Sequence, residues 1–119
     1  MIVGLDHVQL AIPPGAEEQC RAFYVALLGM TELTKPPVLA ARGGVWVRGG
    51  AAEIHLGVEQ DFRAARKAHP ALKVDDIDGL AKRLLAAGHD VRWDDVLPGV
   101  RRFFTSDPLG NRLEFMAAT

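Results

Sequence analysis

The chain has 119 residues, 49% of them hydrophobic, which allows one compact domain with a real core but excludes two large independent domains. Its 14 lysines and arginines and 15 aspartates and glutamates are scattered, which argues against nucleic-acid or polybasic membrane contacts and favours a small-molecule partner. No segment approaches the roughly 20 apolar residues needed to span a bilayer. The single cysteine and an N-terminus without signal-peptide features predict a cytoplasmic location.

The first half of the chain has the pattern of a strand, a helix and three further strands. Residues 4–12 alternate apolar and polar side chains, which predicts a strand. An amphipathic helix is predicted over residues 15–28, with Gly29 as its C-terminal stop. Three strand candidates follow, at residues 32–34, 38–48 and 52–58. The order is β-α-β-β-β, with two glycines interrupting the middle candidate.

The second half repeats this order. A strand is predicted over residues 69–74, followed by a helix from about residue 77 to residue 87 that Asp75 or Asp76 can cap and Gly88 ends. The remaining strand candidates are residues 91–94, 100–106 and 112–117.

Internal repetition of this kind predicts two modules that must pair, because each alone buries little apolar surface. We expect one domain over residues 1–119, with modules at 1–59 and 69–119. Residues 60–68 are interpreted as a linker or a short helical turn.

Four of the predicted strands carry one potential metal ligand each, on the face opposite the apolar side chains. These residues are His7, His55, His69 and Glu114. Successive side chains of a strand point to opposite faces, so the apolar face packs while the other face holds the imidazoles and the carboxylate. Such a set can bind one divalent metal, and Zn, Ni, Co, Fe and Mn all stay open. The alternative interpretation is an ordinary solvated sheet face.

Three further residues are candidate substrate contacts. Gln9 lies on the same predicted strand face as His7. Arg101 and Arg102 follow a Pro-Gly turn, and a guanidinium there can hold an anionic substrate group. Because side chains alternate, only one of the two arginines can point to the cavity. Nearby aromatic residues are interpreted mainly as core, with one able to line the pocket: Trp46, Trp93, Phe103 and Phe104.

Four stretches carry a family resemblance: LDHVQLAI at 5–12, RAFYVALLGM at 21–30, HPALKVDD at 69–76 and DPLGNRLEF at 107–115. They resemble the vicinal oxygen chelate superfamily, which includes glyoxalase I, extradiol dioxygenases, fosfomycin-resistance thiol transferases and bleomycin-binding proteins. The resemblance implies an α+β fold in which two tandem βαβββ modules form a half-open curved sheet around one divalent metal. It also implies a homodimer whose sites are shared between chains.

The resemblance also assigns roles to individual residues. His7, His69 and Glu114 match metal-ligand positions, and Glu114 is the candidate catalytic general base. His55 stands where glyoxalase I usually has a glutamate and is expected to be a fourth ligand. Ala11 replaces an arginine that glyoxalase I uses near the glutathione carboxylate, so the resemblance does not extend to glutathione dependence.

The expected function is therefore a metal-dependent, glyoxalase-like enzyme of lyase or isomerase type that acts on a small oxygenated substrate chelated to the metal. Two alternatives are a ring-cleaving dioxygenase and a metal-free binding protein of bleomycin-resistance type. A regulatory or scaffold dimer with a vestigial site is a further alternative, because fold alone does not fix function.

Overall fold

The computed structural model describes residues 1–119 and shows an α+β fold of two tandem βαβββ modules, which confirms the predicted fold class. The chain divides into two compact units, Met1–Ala64 (unit 1) and Ala65–Thr119 (unit 2). Each unit contains one four-stranded mixed sheet. None of the helices is both long enough and apolar enough to cross a membrane.

Unit 1 contains four strands and two short helical regions. In chain order these are β1 (Val8–Ile12), α1 (an α-helix at Glu17–Cys20 that continues as a π-helix at Arg21–Leu27), β2 (Thr31–Leu33), α2 (Pro37–Ala40), β3 (Val45–Gly49) and β4 (Ala52–Val58). The sheet order is β1-β4-β3-β2, with β1 parallel to β4 and the other pairs antiparallel. Gly29 has a positive φ of 76° just after α1, which confirms the predicted helix stop.

The predicted strand over residues 38–48 is wrong in its first half. Helix α2 occupies that region, with Pro37 in its first turn, where the fixed φ of proline suits a helix start. Gly43 and Gly44 then have φ values of 77° and 87°, so the chain turns before β3 begins. A Cβ on Gly44 would lie 2.3 Å from the backbone oxygen of Leu56, so this position also needs glycine for space.

The core of unit 1 lies on one face of its sheet. Strand alternation places six buried aliphatic side chains there: Leu10, Ile12, Val45, Val47, Ile54 and Leu56. Phe23 and Tyr24 of α1 are also buried and meet edge to face. Each fully buried side chain of this size contributes about 1.5–3 kcal/mol, so this face fixes the register and leaves the opposite face free for polar residues.

Unit 2 repeats the arrangement, with one α-helix between its first two strands. Its elements are β5 (Ala71–Val74), α3 (Ile77–Ala86), β6 (Arg92–Asp94), β7 (Arg102–Ser106) and β8 (Arg112–Ala117). The sheet order is β5-β8-β7-β6, and β5 is parallel to β8. Asp76 caps α3 by accepting a hydrogen bond from the Gly79 N–H at 3.0 Å, as predicted. Residues 60–68 form turns and bends without a helix.

Glu17 connects α1 to the turn before β3, and we predict that this contact makes the unfolding free energy depend on pH. Its Oε2 accepts the Gly44 N–H at 2.9 Å, and this hydrogen bond is the main reason why the pKa of Glu17 lies below its ordinary value. A lowered folded-state pKa stabilises the protein above the unfolded value of about 4.3, and this contribution is lost as pH falls through the folded pKa.

Glu17→Ala should therefore lower the unfolding free energy by about 1 kcal/mol at pH 7, with a smaller loss at acidic pH, in urea titrations. Glu17→Gln, which keeps an acceptor that does not titrate, is the control for the pH dependence. A loss in Glu17→Ala that stays the same across the pH range would contradict the prediction.

Candidate functional site

The first pair of predicted ligands lies on the polar face of unit 1. The rings of His7 and His55 are stacked with centroids 3.9 Å apart, and Trp46 stacks on His55 at the same distance. Because β4 lies between β1 and β3, the His55 ring lies between the other two rings. We call these three residues the aromatic stack. The sequence predicts core packing for most of the strand aromatic residues with one able to line the pocket, and the register of Trp46 with His55 places that side chain on the polar face.

His55 is held in place by a carboxylate that the sequence reasoning missed. Its Nε2 lies 2.7 Å from Oε2 of Glu53, and Oε1 of Glu53 accepts a hydrogen bond from Arg48 at 2.6 Å. The hydrogen bond with His55, and then that with Arg48, lower the pKa of Glu53, so this carboxylate is ionised at neutral pH. An ionised carboxylate only accepts, so Nε2 of His55 donates the proton. The ring nitrogen left for a metal is Nδ1.

His7 differs from His55 in the ring nitrogen that is left for a metal, which is Nε2. It lies one residue before β1, and its Nδ1 is 2.8 Å from Oδ1 of Asp6. The Asp6 carboxylate is an acceptor, so a neutral His7 ring carries its proton on Nδ1 and has a lone pair on Nε2. A second hydrogen bond of this type is usual for histidines that bind metals through the opposite nitrogen.

The second pair lies on the polar face of unit 2. Nε2 of His69 is 3.0 Å from Oε1 of Glu114, whose residue is 5% exposed. Nδ1 of His69 is 2.8 Å from the backbone oxygen of Lys67, which can only accept a hydrogen bond. The proton of a neutral His69 ring therefore lies on Nδ1, and two electron-pair donors face each other at 3.0 Å. Only a proton or a cation between them makes this contact favourable.

Parallel pairing of β5 with β8 produces this contact. Ala71 is the register partner of Glu114, and the Glu114 N–H donates to the oxygen of Pro70 at 3.1 Å. The chain just before β5 therefore runs beside Glu114. A turn upstream fixes the start of β8, because Asp107 accepts the N–H groups of Leu109 and Asn111, both at 2.9 Å.

No three histidine, cysteine, aspartate or glutamate side chains of one chain come together as a group that could hold a metal ion. The structure brings the predicted ligands together as two pairs, His7 with His55 in unit 1 and His69 with Glu114 in unit 2. Each pair alone supplies too few donors for a tight metal site, which needs three or four protein ligands.

The two arginines predicted to contact substrate lie on opposite faces of unit 2. Arg102 shares a face with Glu114 and donates to its Oε2 at 3.1 Å and to Asp94 at 3.0 Å. Arg101 binds Asp78 of α3 through two hydrogen bonds, at 2.7 and 3.0 Å, and its guanidinium lies over Trp93. The structure thus brings Arg102, and not Arg101, to the second ligand pair.

Gln9 is the register partner of His55 and shares its face. The Gln9 side chain lies over Gly57, because a Cβ built on that glycine would be 2.4 Å from its Nε2. Gln9 is exposed, so its amide is accessible to a ligand at this face.

The sequence reasoning missed the contact between two residues of unit 2, Phe104 and Arg112. Phe104 is the register partner of Glu114, and the Arg112 guanidinium lies 4.2 Å from its ring centroid. Arg112 is two residues from Glu114 on the same strand, so alternation places it on the same face. Strand alternation in the sequence already indicates this shared face, whereas the contact of Arg112 with Phe104 depends on the pairing of β7 with β8.

Comparison with known proteins assigns the family. A family profile described as a glyoxalase-like domain matches residues 11–116. The chain belongs to the glyoxalase-like domain family. This membership and the fold place it in the vicinal oxygen chelate superfamily, as the sequence resemblance predicted. No curated protein sequence shows significant similarity to the chain.

Solved structures agree with this assignment. A glyoxalase family protein from Bacillus anthracis is 50% identical, with a TM-score of 0.95 over 100% of this chain and 98% of that one. The fosfomycin resistance protein FosX from Listeria monocytogenes is 18% identical, with a TM-score of 0.79 over 100% and 96%. The antibiotic binding protein TnmS3 from Streptomyces sp. CB03234 is 24% identical, with a TM-score of 0.72 over 99% and 100%. The last two show a shared fold.

Two glycine-to-alanine substitutions test what limits the space beside each glycine, which is the Gln9 side chain at Gly57 and the backbone at Gly44. Gly57→Ala should displace only the flexible end of Gln9 and change the unfolding free energy by less than about 1 kcal/mol. Gly44→Ala should lower the unfolding free energy by more than about 2 kcal/mol, because a left-handed φ and a clash with backbone add together.

Urea titration measures both stabilities, and NMR detects the Gln9 side-chain amide. An unchanged amide signal in Gly57→Ala would contradict the placement of Gln9.

Proposed function

We propose that this protein is a divalent-metal-dependent enzyme of glyoxalase-like, lyase or isomerase type that acts on a small oxygenated substrate chelated to the metal. The observation that supports this most strongly is the contact between His69 and Glu114. With the Lys67 carbonyl accepting from Nδ1, a neutral His69 ring turns the lone pair of Nε2 toward a carboxylate oxygen 3.0 Å away, and a proton or a cation must then lie between the two atoms. A divalent cation stabilises such an arrangement, because both atoms can be its ligands.

The donor set fits such an ion. Two ligand atoms 3.0 Å apart can both contact one ion at the roughly 2.0–2.2 Å distances usual for nitrogen and carboxylate ligands. His7 offers Nε2 with the same kind of second hydrogen bond on Nδ1. We therefore propose His7, His69 and Glu114 as ligands. His55 stays a predicted fourth ligand that would bind through Nδ1, since Glu53 occupies its Nε2.

We propose further that the protein is a homodimer in which each site combines the His7–His55 pair of one protomer with the His69–Glu114 pair of its partner. The absence of a three-ligand group within one chain supports this arrangement. Four large apolar side chains just before His7 are also largely exposed: Met1, Ile2, Val3 and Leu5. A contiguous apolar segment of this kind is usual at a protein interface.

When bound, the metal would polarise a carbonyl or enediolate oxygen of the substrate and stabilise developing negative charge. His7 and His69 would orient it through ring nitrogens fixed by Asp6 and by the Lys67 carbonyl. Glu114 is the proposed base, and its Oε2 must leave the Arg102 guanidinium to accept a substrate proton. Arg102 then remains beside the site as a cation close to Glu114.

Metal content tests the proposal directly. Protein purified without an affinity tag should contain close to one divalent metal ion per protomer by elemental analysis. His7→Ala and His69→Ala should each lose most of it, because removing one ligand of three weakens binding far more than the roughly 10–100-fold typical of outer-sphere changes. His89→Ala, outside both pairs, is the matched control and should keep its metal.

A wild-type protein that holds no metal even after reconstitution would overturn the enzyme proposal. The metal-free binding protein would then be the better interpretation, and binding of planar antibiotics would be the next measurement.

Mixing two inactive variants tests whether sites are shared. Homodimers of His7→Ala and of Glu114→Ala each lack a ligand in both sites. After mixing and subunit exchange, half of the dimers are hetero-dimers, and each restores one of its two sites if the sites are shared. Metal content should then recover to about a quarter of the wild-type value, as two-fold symmetry requires. No recovery, with exchange shown by mass spectrometry, would contradict shared sites.

A further inference from the structure

The polar face of unit 2 carries more positive than negative charge. Register places four cations and two carboxylates on it: Lys73, Arg92, Arg102, Arg112, Asp94 and Glu114. Both carboxylates are bound by Arg102, which donates to Asp94 at 3.0 Å and to Glu114 at 3.1 Å. The charge of Arg102 is therefore compensated within the protein, and the excess positive charge lies on the other three residues.

Arg112 shares the Phe104 ring with Arg102, whose guanidinium lies 5.2 Å from the ring centroid, but unlike Arg102 it binds no carboxylate. Its guanidinium lies 4.2 Å from the centroid of Phe104, a ring that is 8% exposed and therefore fixed. It makes no side-chain hydrogen bond or ion pair with any group of the chain. Stacking restricts the half-buried side chain and leaves the N–H groups at the guanidinium edge without a protein acceptor.

Arg112 also lies next to the second ligand pair. The ring of His69 contacts the same Phe104 ring edge to face, with centroids 5.4 Å apart. Phe104 is itself the register partner of Glu114. One aromatic ring thus contacts both the Arg112 guanidinium and the imidazole proposed to bind the metal, which places the two groups on the same part of this face.

We propose that Arg112 is a specificity-determining residue that binds an anionic oxyacid group of the substrate, whether carboxylate, phosphate or phosphonate. The inference rests on the proposed function, because it places the chelating oxygens of the substrate at the His69–Glu114 pair. A planar guanidinium binds such groups through two parallel charge-assisted hydrogen bonds. The substrate class is therefore a small chelating molecule with an adjacent anionic group, and neutral chelators of similar size are poor ligands.

Two chelators that differ in charge test the proposal on the metal-loaded protein. Acetohydroxamic acid and the monohydroxamate of succinic acid bind metals through the same group, but only the second carries a free carboxylate. Calorimetry should show the carboxylate compound binding at least about tenfold more tightly to the wild type. Arg112→Met should abolish this ratio while metal content and acetohydroxamate affinity stay unchanged.

Matched variants distinguish loss of the anion contact from a general loss of charge or of folding. Arg92→Met removes a cation of the same face that lies 3.8 Å from Asp90, and it should keep the tenfold ratio. Arg112→Lys keeps the charge without the planar fork and should keep only part of the ratio. The ratio persisting in Arg112→Met, or being lost equally in Arg92→Met, would overturn the proposal.

A second readout does not depend on a metal. In metal-free wild-type protein, the side-chain Nε–H signal of Arg112, assigned by its absence from Arg112→Met, should shift on addition of succinate or inorganic phosphate. It should not shift with chloride at the same ionic strength. If the protein holds no metal but this signal shifts, the function proposed above fails and the anion site stands. If neither succinate nor phosphate shifts it, the anion site is overturned.

Discussion

Parallel pairing of the first and last strand within each unit is the constraint on which both candidate ligand pairs depend. In unit 1 this pairing sets Gln9 against His55, and in unit 2 it sets Ala71 against Glu114. Direct partners in a sheet share a face, so the chain that enters the first strand of each unit runs beside the last strand. His7 therefore stacks on His55, and the ring of His69 reaches the Glu114 carboxylate.

The same backbone pattern supports two different chemical environments. Unit 1 presents the aromatic stack, whose central ring is fixed by the ion-paired Glu53. Unit 2 presents a buried carboxylate among arginines, one of which has no protein acceptor. One half of the proposed site thus supplies orienting imidazoles, whereas the other supplies the charged groups. The same fold serves catalysis in some proteins and binding in others. The function is therefore inferred from these side chains and not from the fold.

The direction of individual hydrogen bonds decides what the histidines can do. A backbone carbonyl on Nδ1 of His69 and a carboxylate on Nδ1 of His7 leave Nε2 of each ring as a potential ligand atom. His55 has the opposite arrangement, since Glu53 is bound to its Nε2. Three histidines that look equivalent in the sequence are therefore not equivalent in the fold, and their second hydrogen-bond partners explain the difference.

The sequence by itself determined the βαβββ repeat, the end of α1 at Gly29, the start of α3 near Asp76, and the faces on which His55 and Glu114 lie, because period-two alternation and caps are local signals. It misplaced a strand over 38–48, where Pro37 and two left-handed glycines override strand propensity. Only the tertiary structure decided which side chains meet. Strand alternation predicted that only one of Arg101 and Arg102 points to the cavity. The contacts of Arg101 with Asp78, of Glu53 with His55 and of Arg112 with Phe104 depend on sheet register and packing, which no local pattern encodes.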